Sequence, residues 1–215
     1  MIMAKRPVFF PISRAPYVDV YQPEFSWSGG FAASQKQKNI DALHEAFLAR
    51  FPGRNPLEIS SKSRSPLGVS LSAFNLKKTV PSLGICVPVE CVFQGGKVFS
   101  GGGPFTDLYA VSPREAKRDP RLKERGMLKS FYYEGETYPT VPGTAFYDWL
   151  YIRALLENPE LSRQLTEFDA FTDIEFNPDR GINCQAGAAA LFVALSRQGL
   201  LEQCRDFASF AALLR

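Results

Sequence analysis

The chain has 215 residues and a mass of 24.0 kDa, enough for one sizeable core, since most domains span roughly 100–200 residues. Hydrophobic residues make up 45% and charged residues 22%, which excludes wholesale disorder. The longest apolar run, Ala186 to Leu195, is about half of the ~18 residues a membrane span requires.

Twenty-five basic against 22 acidic residues leave +3, a balance compatible with a polyanionic partner but not diagnostic of one. Near the N-terminus, Pro7 and Pro11 bracket an apolar run too short for a signal-peptide core. A cytoplasmic protein with no membrane contact is expected. The four cysteines, Cys86, Cys91, Cys184 and Cys204, form no C-x-x-C pair and are expected as reduced, buried thiols. His44 is the single histidine, which leaves no H-E-x-x-H motif and no multi-histidine metal centre. No metal or cofactor is expected, and catalysis falls to carboxylates, lysines or main-chain dipoles.

In chain order, the first 30 residues are rich in proline and in aromatic rings that need cover. They are expected to wrap the body of the protein, with Val18 to Tyr21 as a short edge strand before Pro23. A helix is expected after Gly29-Gly30, opened by a Ser34/Gln37 capping box. Ile40, Leu43, Phe47 and Phe51 carry it at helical spacing and Gly53 stops it. His44 lies beside that stripe and reads as a boundary residue ahead of a ligand. Alternating Leu67, Val69 and Leu71 predict a strand, Ser82 to Val87 a second ended by Pro88, and Phe131 to Tyr138 a hairpin around Gly135. The C-terminal third reads as helical. Phe146, Trp149, Leu150, Arg153 and Leu156 share a face, Asn158-Pro159 starts another helix, Ala186 to Leu195 is a buried one ending at Gly199, and Phe207 to Leu214 is the last. The pattern is α+β: a mostly helical single domain over residues 1–215 with a few short strands and hairpins.

One segment carries a chemical signal. Pro88 suits a first helical position, Gly101-Gly102-Gly103-Pro104 is a stop, and Glu90, Phe93, Gln94 and Lys97 fall at i, i+3, i+4 and i+7. On one helix they line a single face, with Glu90 and Lys97 about 10 Å apart at their Cα atoms. The lysine leans back toward the helix start, so a small molecule fits between a carboxylate and an amine. A surface Glu/Lys pair on an amphipathic helix is the plainer reading. Two interior glycines, Gly95 and Gly96, cost about 1 kcal/mol each relative to alanine and ask for close approach of another backbone or a ligand. The segment is neither a Walker loop nor a dinucleotide fingerprint.

Val89-Glu90-x-x-Phe93-Gln94-x-x-Lys97 resembles the glutamate–glutamine–lysine signature of the NADAR (YbiA-like) family. Leu71-Ser72-Ala73-Phe74, Ser112-Pro113-Arg114-Glu115-Ala116-Lys117, Asp169-Ala170-Phe171 and Gly181-Ile182-Asn183 are similar to further family pieces in the family's order, over roughly residues 65 to 200. Thr172-Asp173 stands where the family has Trp-Gly, and Gln185-Ala186 where it has Leu-Gly, so Asp173 competes with Asp169 for one role. The first 60 residues, with Ser34-Gln35-Lys36-Gln37-Lys38, and the Gly103 to Asp107 stretch are foreign to compact family members. They look more like the branch found as antitoxins beside DarT-type DNA ADP-ribosyltransferases.

The resemblance implies cleavage of an N-glycosidic bond to ribose, with ADP-ribose on the exocyclic amine of guanine as the toxin-associated substrate. Glu90 is then the proton carrier. Lys97 is either a nucleophile toward an opened C1″ aldehyde or a fixed positive charge. Phe74 and Phe93 either stack on substrate or pack the core. Ser72, Gln94, Asp107, Asp169 or Asp173, and Asn183 are candidates for binding ribose hydroxyls or phosphate, although Asn183 also suits a plain N-cap. The Arg114 to Arg125 segment is basic and reads either as a solvated charged stretch or as a track for single-stranded DNA. The implied partners are ADP-ribosylated single-stranded DNA, ADP-ribose and a cognate DarT-type toxin. Two other functions compete: an N-glycosidase for a ribosylaminopyrimidine of riboflavin synthesis, and a non-catalytic module that binds ADP-ribose or masks a toxin.

Overall fold

The computed structural model describes residues 2–179 and 181–214. Four strands come first: β1 (Ile2–Lys5), β2 (Val8–Pro11), β3 (Val18–Tyr21) and β4 (Glu24–Trp27). Helix α1 (Ala33–Arg50), β5 (Pro56–Glu58), α2 (Pro66–Ser70), β6 (Lys77–Val80), β7 (Ile85–Pro88), α3 (Val89–Gly95) and β8 (Lys97–Phe99) follow. Then come α4 (Pro113–Arg118), α5 (Arg121–Glu124), β9 (Leu128–Tyr133), β10 (Glu136–Tyr138), α6 (Ala145–Leu156), α7 (Pro159–Leu165), β11 (Ala170–Thr172), α8 (Gln185–Arg197) and α9 (Phe207–Leu213). The class is α+β.

The strands are short and fall into four small sheets. The largest runs β3-β2-β11-β5, and its only parallel pair is β11 with β5, Phe171 opposite Leu57. β3 is an edge strand, as expected from its Pro23 stop. β9 and β10 form the predicted hairpin, with Glu134 and Gly135 both at positive φ, 51° and 83°, the backbone of a tight two-residue turn.

Two cores hold these pieces together. Ile40, Leu43 and Phe47 of α1 close over Val8, Phe10 and Phe25, so the aromatic N-terminal segment is covered as its composition demanded. In the larger core, α6 and α8 pack side by side under an aromatic cluster in which Phe131 stacks on Phe146 at 4.5 Å and Phe93 on Phe131 at 5.5 Å. Such pairs contribute about 0.5–1.5 kcal/mol beyond their buried area, and they fix α3 against α6.

Several expectations are corrected. Leu67 to Leu71 is helical because Ser65-Pro66 starts a helix, and Leu67 and Leu71 are then one turn apart on its buried side. Five alternating residues do not distinguish i, i+4 from i, i+2 spacing. Helix α1 begins one residue before Ser34, with Ala32 as a cap that makes no side-chain bond, so there is no capping box. The strand expected over 82–87 is restricted to Ile85–Pro88, after a 3-10 turn at Pro81–Leu83. Cys86 is exposed on that strand, while the other three cysteines are buried free thiols. Helix α3 ends at Gly95, so Lys97 is the first residue of β8 and Pro88 closes β7.

Candidate active site

Strands β5 and β11 run parallel, and the chain leaves both at the same end, where loops gather functional side chains. Ser60 and Ser61 follow β5 and Asp173 follows β11. Helix α3 supplies the facing wall. Its first amides are anchored on the turn after α2: Val89 N donates to Leu76 O at 3.0 Å and Glu90 N to Ala73 O at 3.0 Å. These bonds hold Ser72 and Phe74 beside Glu90. Together the segments enclose a cavity of about 500 Å³, within the size range of small-molecule and cofactor sites.

A hydrogen-bonded chain runs along one wall. Glu90, 5% exposed, accepts from Gln94 Nε2 at 2.9 Å, and Gln94 Oε1 accepts from Lys97 Nζ at 2.7 Å. Lys97 Nζ also sits 4.7 Å over the Phe93 ring. The acid, amide and amine meet as the spacing anticipated, although the lysine lies beyond the helix. Burial pulls the Lys97 amine down to about 8; Glu90 opposes that fall and Lys117 adds to it. Lys117 Nζ lies 3.8 Å from Glu90 Oε1 and 5.4 Å over the Phe74 ring.

The two glycines explain where the helix stops. A Cβ on Gly95 would fall 2.5 Å from the Tyr109 ring, and one on Gly96 would fall 2.6 Å from Tyr132 O. Phe105 N donates to Gly95 O at 2.7 Å and Tyr132 N to Gly96 O at 2.6 Å. Neighbouring chain presses against the helix end, as expected from interior glycines, and turns Lys97 into the sheet. Gly95→Ala is therefore expected to cost about 1–3 kcal/mol by overpacking, despite alanine's better helix propensity, and to lower the melting temperature. An unchanged melting temperature would mean that the Tyr109 ring moves aside freely.

The opposite wall is built on Asp173, 8% exposed. Its oxygens accept from Glu175 N at 3.0 Å and Gln185 Nε2 at 2.9 Å. Gln185 also donates to Ile59 O and accepts from Ala73 N, both at 2.7 Å, so one side chain ties three segments together. Burial, then the nearby Glu58 charge, pushes the Asp173 carboxyl up to about 8. Glu58 is itself buried and shifted upward by desolvation; it accepts from Thr172 Oγ1 at 2.6 Å and Ile174 N at 2.9 Å. His44 reaches this network from α1, its Nε2 2.8 Å from Thr172 Oγ1. Burial pulls its ring down to about 4, so it is neutral at pH 7 and lies behind the cavity as a boundary residue.

Of the residues singled out from sequence, Ser72, Phe74, Glu90, Phe93, Gln94, Lys97, Asp173 and Asn183 line the cavity. Two do not. Asp169 stands at the other end of β11, where it accepts from Asn55 N at 2.7 Å and pairs with Arg54 at 3.4 Å. Four residues of extended chain separate it from Asp173, about 13 Å, so only one of them reaches the site. Asp107 is exposed and pairs with Arg121 at 2.6 Å. Phe93 packs in the aromatic cluster, 4% exposed, and also contributes to the cavity wall. Asn183 caps nothing, because Cys184 is the N-cap of α8. Its Oδ1 is buried with no partner among the described residues, and native proteins rarely leave such an acceptor unpaired unless a ligand or water meets it.

Sequence reading missed Tyr147, Gln185 and Glu58. Tyr147 was hidden in the apolar face of α6, and Glu58 sits on a three-residue strand too short to show a period. Lys117 lay in a quoted motif but was counted only as part of a basic stretch. In that stretch Arg121 is consumed by Asp107 and Asp119, while Arg114, Arg118, Lys123 and Arg125 enter no ion pair among the described residues.

Fold and site together define an α+β protein with an acid–amide–amine chain in the wall of a ligand-sized cavity. The chain belongs to the NADAR-DarT1 family, the DarT1-associated NADAR antitoxins, whose model matches residues 4–215. That span takes in the N-terminal strands and α1, well beyond the 65–200 region where the motifs were legible. No curated protein matches the chain. Among the described residues, no helix is long and apolar enough to cross a membrane.

Proposed function

We propose that this protein is a cytoplasmic hydrolase that removes ADP-ribose from guanine bases in DNA and so reverses the mark of a DarT-type toxin. The observation that carries this reading is the Glu90–Gln94–Lys97 chain facing a cavity with an unpaired Asn183 carbonyl. Cleaving an N-glycosidic bond needs a proton carrier beside the sugar, and the position of Glu90 in the cavity wall supports that role for it. Lys97, depressed by burial to about 8, retains a neutral fraction that can attack an opened C1″ carbon. Asn183 Oδ1 requires a donor, which a ribose hydroxyl supplies. Lys117 at the cavity and the unpaired Arg114 and Arg118 on the same helix offer charge to flanking phosphates.

Purified protein incubated with an oligonucleotide ADP-ribosylated on guanine is expected to release intact ADP-ribose and restore the base. The same oligonucleotide modified on thymine is expected to be spared, because a ring nitrogen presents different geometry from an exocyclic amine. Single strands are expected to be preferred, since they avoid an unstacking cost of a few kcal/mol. Cleavage of a ribosylaminopyrimidine in place of the DNA mark would move the assignment to small-metabolite hydrolysis. Rescue of toxin-expressing cells while the marks persist would move it to a masking module.

A further inference from the structure

Helix α6 presents Tyr147 to the same cavity. The residue is 5% exposed, its ring packs edge-on against Phe93 at 4.9 Å and it stacks on Tyr151 at 6.4 Å. One turn along, the Tyr151 hydroxyl donates to Leu71 O at 2.7 Å. Unlike Tyr151, Tyr147 makes no hydrogen bond through its hydroxyl to another described residue, and the side chain lines the cavity. A phenol at a cavity wall without a protein partner is free to donate to a ligand.

The surroundings restrict that acceptor. Burial, with the Glu90 carboxylate adding to it, holds the phenol protonated, far above its ordinary range, so it serves as a donor. Lys97 and Lys117 in the same cavity offer charge to phosphates, which leaves the uncharged phenol to a neutral oxygen. Asn183 Oδ1, buried at the cavity with no partner among the described residues, has the opposite polarity and needs a donor. A pentose offers both: a ring oxygen that accepts and hydroxyls that donate.

We propose that the Tyr147 hydroxyl donates a hydrogen bond to the ring oxygen of the pentose at the scissile carbon, as a third catalytic group beside Glu90 and Lys97. This rests on the hydrolase reading above and specifies its route. When the bond between C1″ and the ring oxygen breaks, the lone pair of the guanine amine nitrogen forms a C1″=N bond, the departing pair moves onto the ring oxygen, and a fixed donor stabilises it most at that moment. The phenol keeps its own proton; Glu90 takes the proton from the guanine amine nitrogen and delivers one to the ring oxygen, which leaves a neutral imine and a hydroxyl. An oxocarbenium route would make the same oxygen electron-poor and gain nothing from a donor, so Tyr147 favours ring opening, the route that exposes C1″ to Lys97.

The test is Tyr147→Phe, which keeps the ring contacts with Phe93 and Tyr151 and removes one oxygen. Turnover of ADP-ribosylated guanine oligonucleotide is expected to fall about 10²-fold, and affinity for free ADP-ribose by calorimetry about 3- to 10-fold, at an unchanged melting temperature. Wild-type turnover and affinity in the variant would overturn the proposal. If the native protein binds ADP-ribose but cleaves no modified DNA, the hydrolase reading and the catalytic role of Tyr147 fall together, and the affinity of the variant decides only its contact with the sugar. If the native protein does not bind ADP-ribose, both fall.

Discussion

Glu90→Gln is expected to retain the fold and the binding of ADP-ribose while losing turnover by at least about 10²-fold, the contribution typical of a positioned acid–base group. The substitution is nearly isosteric, and the new amide oxygen can still accept from Gln94 Nε2, as Glu90 Oε1 does at 2.9 Å. What disappears is a group able to take up and return a proton, together with the 3.8 Å contact to Lys117. The variant also separates two roles. Glu90 raises the Lys97 pKa against the pull of burial, so neutralising position 90 lets that pKa fall further and increases the neutral amine. A loss of activity therefore reports on proton transfer and not on a silenced lysine. Wild-type turnover by the purified variant would remove Glu90 from the mechanism, and rescue of toxin-expressing cells by an inactive variant would favour masking.

Helices with a complete apolar face were legible in the sequence. α1, α6 and α8 announce themselves through Phe47, Trp149 and the alanine run, because a period of 3.6 sustained over three turns has no rival reading. The hairpin at Gly135 was legible for a different reason: few residues tolerate two consecutive left-handed positions. Short elements were not. The three residues of β5 are a strand through pairing with β11 across more than 110 positions, and the three of β11 through that pairing and the one with β2, contacts no local window contains. The same separation concealed half of the site. Glu90, Gln94 and Lys97 are close in sequence and were found together. Asp173, Gln185 and Ala73 meet through bonds spanning up to 112 positions, and Asp169 was as plausible as Asp173 until the direction of β11 separated them. Tyr147 illustrates a further limit, since a tyrosine on a buried helix face looks like core until the fold puts it in the wall of a cavity.

Lys97→Ala is expected to abolish turnover by at least about 10²-fold, and the pH dependence of chemical trapping is expected to say why. The side chain lies largely buried between Phe93 and Gln94, and burial lowers its pKa from the usual lysine range to about 8. A depressed amine pKa means that the neutral, nucleophilic form accumulates as pH rises through about 8, two to three units earlier than for a solvated lysine. During turnover of ADP-ribosylated guanine DNA, attack of that amine on C1″ of the opened sugar followed by loss of the guanine amine leaves an imine. Borohydride reduces the imine to a stable secondary amine, so the peptide containing Lys97 should gain the mass of the sugar adduct. The yield at Lys97 should climb between about pH 7 and 9, while exposed lysines outside the cavity, such as Lys38 and Lys129, provide the background for non-enzymatic adducts. Lys97→Arg separates the two roles left open by the residue type, because a guanidinium keeps the charge and forms no such imine under these conditions. Absence of an adduct at any pH, combined with substantial turnover by Lys97→Arg, would reduce Lys97 to a fixed charge beside Glu90. Full activity of Lys97→Ala would exclude both roles and place the catalytic centre elsewhere in the cavity.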